Sequence, residues 1–98
     1  MFQGTTPTLK FHLPFETGTL AEVWITLSQL GTEVFTKALA DCTAGADTLE
    51  VTLTQQDTLS LSQNEVSIQL RVRFQDGTAA ASREICIPVE RVLKGGEI

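Results

Sequence analysis

The chain has no tyrosine, one histidine, two cysteines and one methionine among its 98 residues. Each scarcity removes a class of function. His12 has no second histidine to share a metal or a proton with, and no HxxxH, HExxH or CxxC spacing occurs. Cys42 and Cys86 stand far apart, which in a reducing compartment reads as two free thiols. Seven Lys and Arg against twelve Asp and Glu leave a net charge of −5, with the acids scattered. A phosphate backbone needs clustered cations, so nucleic acid is not expected as a partner. No apolar run is long enough to cross a bilayer, and no membrane partner is expected. Met1 to Pro7 lack the basic start and apolar stretch of an export signal, so a complete intracellular product is expected. There is no GxSxG elbow, Walker loop or GxGxxG, and Gly95-Gly96 reads as a flexible tail. Asp41 and Asp47 flank a Gly-Ala loop but bring too few oxygens for calcium. No catalytic residue, cofactor or metal site is expected, and the protein is read as a non-enzyme.

What the sequence does have is alternation. Apolar side chains at every second position share one face of a pleated strand. Leu9, Phe11 and Leu13 form the first such set, bounded by Pro7 and Pro14, which suits a sheet edge. Val23, Ile25 and Leu27 follow, then a turn at Leu30-Gly31 and a short strand from Glu33 to Lys37. Leu49, Val51 and Leu53 come next, then Val66 through Phe74, then Ile85, Ile87 and Val89. Asp76-Gly77 as a two-residue loop would pair Val72 with Ala81, Ile68 with Ile85 and Val66 with Ile87, leaving only Leu70 opposite Arg83 as a mismatch. On the outer face this register sets Arg71 diagonally from Glu84, as a surface charge pair. Between strands, Thr54-Gln55-Gln56-Asp57 has the form of a capping box, and one helical turn is expected to carry the chain from sheet to sheet, with Leu59 and Leu61 closing the core.

These elements predict one all-β domain over residues 1–98. Its fold class is a two-sheet antiparallel immunoglobulin-like sandwich of about seven strands with one short helical crossover turn. A closed barrel is the second choice. An antibody domain is excluded, because Trp24 does not lie between paired cysteines and no tyrosine corner can form. The arm 1–6 and the tail 91–98 are expected to be flexible.

Two aromatics stand out. With Leu30-Gly31 as the loop, Leu27 would oppose Val34 and Val23 would oppose Ala38, so Trp24 and Phe35 would both point outward within diagonal reach. That pair marks a candidate interface, since Trp is enriched at binding hot spots. A bulge or a different loop length would instead turn Trp24 into the core.

The runs Gly4-Thr5-Thr6-Pro7-Thr8, Phe11-His12-Leu13-Pro14-Phe15, Val51 through Leu59 and Val89-Glu90-Arg91-Val92-Leu93 resemble small proteins encoded among the tail and baseplate genes of Gram-positive prophages. The layout is also similar to the immunoglobulin-like amino-terminal domain of phage baseplate upper proteins. The resemblance covers nearly the whole chain and brings no catalytic motif. It implies a phage structural or assembly protein that docks with other phage structural proteins, forms a homo-oligomer, and is made in the cytoplasm of the bacterial host before any incorporation in the virion. A carbohydrate-binding sandwich, with Trp24 and Phe35 as a stacking platform, is the alternative.

Overall fold

A computed structural model describes residues 1–98. The strands are β1 (Thr8–His12), β2 (Leu20–Gln29), β3 (Thr32–Ala38), β4 (Thr43–Ala44), β5 (Thr48–Thr52), β6 (Val66–Phe74), β7 (Ala79–Ala81) and β8 (Ile85–Ile87), with one helix, α1 (Gln55–Leu59). They form two antiparallel sheets. The smaller has the order β1-β5-β4, and the larger runs β3-β2-β6-β7, with β8 also paired to β6. β7 and β8 occupy successive stretches of one edge of β6, so the larger sheet is four columns wide. The chain changes sheets after β1, β3 and β5. This strand order is that of an immunoglobulin sandwich in which β1 stands in the second strand's place and no strand fills the first. Both sheets keep free edges, so the barrel is not formed.

Alternation builds the core. Val23, Ile25 and Leu27 of β2, Val66 and Ile68 of β6, and Leu49 and Val51 of β5 are all essentially buried. Leu53 and Leu61, on either side of α1, close one end. The helix starts as its sequence predicts: Thr54 Oγ1 accepts from the Asp57 N–H at 3.0 Å, and the Asp57 carboxylate accepts from the Thr54 N–H at 2.8 Å. Lys37, pointing inward from the edge strand β3, places its ammonium 2.8 Å from the same carboxylate. An inward charge on an edge strand also discourages another chain from pairing there.

Burial alone would raise the Asp57 pKa, but the Lys37 ammonium and the Thr54 hydrogen bonds outweigh it and hold the carboxyl below its usual range. The folded pKa is thus lower than the unfolded one. Stability from this contact is present in full above the ordinary carboxylate range and is lost as pH falls through the depressed folded value. Urea midpoints of the wild type and Asp57→Asn should therefore differ at pH 7 and converge in acid. A gap independent of pH would contradict the pairing.

Register departs from the sequence-based expectation at both hairpins, each time by one inserted residue. At the first, Leu30 (φ 52°) and Gly31 (φ 77°) form the expected two-residue loop, and Gln29 pairs with Thr32 and Ser28 with Glu33. A bulge at Val34 then shifts the ladder, so Leu27 faces Phe35 and Trp24 faces Ala38. At the second, the loop holds three residues rather than two: the Phe74 N–H donates to Thr78 O, and Gly77 takes φ 92°. Val72 therefore pairs with Ala80. Ser82 adds a residue opposite Leu70: its N–H bonds Leu70 O at 2.8 Å, while its Oγ accepts from the Leu70 N–H at 3.0 Å. Beyond it the expected register returns, with Ile68 opposite Ile85 and Val66 opposite Ile87. The mismatch at Leu70 and Arg83 is where the bulge sits.

The amino-terminal arm, expected to be flexible, is tied down by hydrogen bonds. Phe2 bridges Glu90 in parallel, the Gln3 amide donates to Leu61 O, and buried Thr58 donates its hydroxyl to Thr5 O at 2.8 Å. In the tail, the Leu93 and Ile98 side chains project into solvent, while the Ile98 N–H donates to Gln55 Oε1 at 2.7 Å and its carbonyl accepts from Gln55 Nε2 at 2.9 Å.

Candidate functional site

Trp24 and Phe35 are not brought together. The Val34 bulge gives Phe35 the same face as Leu27, so its ring packs against the core, with the Lys37 ammonium 5.6 Å from its centre. Trp24 keeps the outer face and is 49% exposed. Nothing in Thr32-Glu33-Val34-Phe35 announces the bulge, because Val34 and Phe35 serve equally well as inward residues. The sequence did carry a contrary hint: sharing a face with Phe35 means that Lys37 also points inward, and a charge at a core-facing position reads at first as an error.

What surrounds Trp24 is a row across four strands. Ala38 of β3, Trp24 of β2, Arg71 of β6 and Ala81 of β7 are consecutive cross-strand partners. The next row is Glu22, Arg73 and Ala79. The Arg71 guanidinium lies 5.4 Å from the centre of the Trp24 ring, a cation–π contact. Three alanines keep the rest of the patch low, and a shallow depression of about 160 Å³ opens between Trp24, Arg71, Arg73 and Glu22. The expected Arg71–Glu84 pair does not form, because the loop shifts the ladder and sets Ala81 opposite Arg71. The ion pairs of the molecule are Lys10–Glu50 and Lys37–Asp57, so neither Arg71 nor Arg73 has a carboxylate partner. A protein of net charge −5 thus presents a tryptophan beside two guanidiniums that form no ion pair, with the Glu22 carboxylate across the ladder from Arg73 and turned to the Val23 N–H. These arginines were the functional candidates that sequence reading missed. Their signal was the pair of cations at alternate positions in the longest strand.

The remaining candidates lie apart from this patch. His12 is exposed on β1. No three side chains among His, Cys, Asp and Glu converge to hold a metal ion. Cys42 and Cys86 are unpaired. Cys42 is half-buried and donates to Ala38 O at 3.4 Å; burial, then the nearby Asp41 carboxylate, pushes its thiol pKa up. Cys86 is exposed beside Ser67. An aromatic disulfide reagent at neutral pH should therefore react with one thiol quickly and the other slowly, and Cys86→Ser should remove the fast phase. Loss of the slow phase instead would contradict the assignment.

Comparison of the chain with models of protein families, with curated proteins and with solved structures finds no match in any of the three. The molecule is an all-β, two-sheet antiparallel sandwich.

Proposed function

We propose that the protein is a non-enzymatic docking module that assembles with other proteins through the Trp24 face of its larger sheet, as a structural or assembly part of a prophage tail or baseplate. The observation that carries the docking reading is the exposed Trp24 flanked by Arg71 and Arg73, neither arginine being paired. Trp and Arg are the residues most enriched where binding energy concentrates, and a rigid sheet fixes both at low entropic cost. The tail and baseplate assignment draws its support from the sequence resemblance. The partner is expected to be acidic where it meets the two arginines.

Deleting the gene in the host that carries it should yield, on induction, particles with incomplete tails. A Trp24→Ser copy should fail to restore them, while the variant protein folds with a stability change within about 1 kcal/mol, as a half-exposed site allows. Normal particles from the deletion strain would sink the tail assignment. Full rescue by Trp24→Ser would remove this face from it.

The carbohydrate reading loses its second ring, because Phe35 faces the core, and Arg71 covers part of the first. A glycan array giving Trp24-dependent binding would reverse that ranking.

A further inference from the structure

The larger sheet is one column wider than the smaller, and the surplus column is uncovered. β7 and β8 project past β1 with no strand above them. Ile85 pairs with Ile68 and shares its inward face, yet Ile68 is buried and Ile85 is 51% exposed. Between β1 and this column runs a groove of about 400 Å³, floored by Leu70, Val72 and Ile85 and walled by Phe11, Leu13 and Phe15.

The rim of the groove is a strand edge with free hydrogen-bonding groups. The Leu13 N–H bonds Asp47 O at 2.8 Å, and the Leu53 N–H bonds Pro7 O at 2.9 Å. In this register the odd-numbered residues of β1 are the ones bonded to β5. The N–H and C=O groups of Thr8, Lys10 and His12 consequently point away from β5, over the open groove. Pro7 and Pro14 limit the free stretch to about five residues.

We propose that this edge takes up a single extended strand from another protein, hydrogen-bonded to Thr8, Lys10 and His12, with alternate apolar side chains lying on Ile85, Leu70 and Phe11. The mode is strand addition, in which main-chain bonds give affinity and pockets for alternate side chains give specificity. A second copy cannot supply its own β1, because its β6 would then fall on the column that β7 and β8 occupy. Nor do residues 91–98 of a second copy fit, since Val92 and Ile98 alternate with Lys94 and Gly96, while Leu93 alternates with Gly95 and Glu97. The outer face of β1 carries Thr8, Lys10 and His12 and no carboxylate. Lys10 reaches Glu50 at 3.6 Å with half of its side chain still in solvent. The inward positions of the incoming strand are therefore apolar, and a carboxylate at the outward position beside Lys10 would share its ammonium with Glu50. This site lies on the smaller sheet's edge and does not depend on the Trp24 face.

The probe is an end-capped peptide alternating valine with glutamate, added to the full chain while amide hydrogen exchange is followed by NMR. The amides of Thr8, Lys10 and His12 should gain protection by about tenfold or more, the equivalent of one net hydrogen bond each, while those of Leu9 and Phe11 change little. Lys10→Pro removes an outward N–H together with the Lys10 ammonium and should weaken binding by about tenfold, whereas Lys10→Ala, which keeps the N–H, should weaken it less. Ile85→Asp, at a position half open to solvent, should weaken it similarly while the amide spectrum of the remaining strands is kept, and a valine–lysine peptide should bind worse than the glutamate one. Trp24→Ser should leave binding unchanged. No protection at about 1 mM peptide, a weak-binding limit, would overturn the proposal, as would protection without the period of two or binding indifferent to Ile85→Asp. Binding lost in Trp24→Ser would place the peptide on the other face, overturning strand addition while leaving the docking reading standing.

Discussion

Ile25→Ala is expected to cost about 3–4 kcal/mol, the largest effect of any single truncation considered, because the site cannot collapse around the loss. Ile25 is fully buried in the central strand of the larger sheet, opposite Lys37 on one side and Leu70 on the other. Both neighbours are fixed by their ladders, so the vacated volume stays open. A domain of this size has a total stability on the order of 5–15 kcal/mol, so the variant should remain folded with its urea midpoint much reduced. Ile25→Val, removing one methylene group, should cost about 1 kcal/mol. Equal small losses for both would mean that the position is not packed as described.

Gln29→Leu should cost about 2–3 kcal/mol, although it replaces a polar side chain by an apolar one of similar size at a buried position. Gln29 is 8% exposed, and its amide serves one loop from both ends. Nε2 donates to Ser62 O at 2.9 Å and Asn64 O at 3.1 Å, and Oε1 accepts from the Ser62 N–H at 2.8 Å. Leucine can make none of these bonds, and the loop from α1 to β6 loses its anchor, its polar groups recovering only part of the loss from water. Amide exchange should show Ser62 deprotected first, with the strands intact. A stabilised Gln29→Leu with Ser62 still protected would contradict this role.

Gln29 also shows why some of the structure was legible in the sequence and some was not. Strand faces follow from a period of two, which is local, so the inward sets at Val23 to Leu27, Leu49 to Leu53 and Val66 to Val72 can be read residue by residue. The capping box at Thr54 and Asp57 is equally local. Gln29 belongs to the same inward series as Leu27, but a polar residue there gains meaning only from Ser62 and Asn64, whose approach is a tertiary fact. The bulges at Val34 and Ser82 are of the same kind. A one-residue insertion leaves composition and alternation almost unchanged, yet it reverses the face of everything beyond it. That is how Phe35 moved from the candidate surface onto the core, and the extra residue in the loop after Phe74 is how Arg71 came to face Ala81 instead of lying diagonal to Glu84. β4 escaped notice because two residues carry no period. The empty column over β7 and β8 was invisible for a related reason: it reflects the absence of a strand, and only the assembled sheets reveal what is uncovered.

The central claim is that the Trp24 face is where this protein meets its partner. Site-specific photo-crosslinking in the native host tests it directly, with Trp24 kept and a photoreactive amino acid placed at Ala79, which lines the same patch opposite Arg73, or, as a control, at Thr52 on the outer face of the smaller sheet. The expected result is one adduct of defined mass from position 79, absent at Thr52 and suppressed by Trp24→Ser or Arg71→Glu. No adduct at position 79, or the same adduct from both positions, would contradict the docking face.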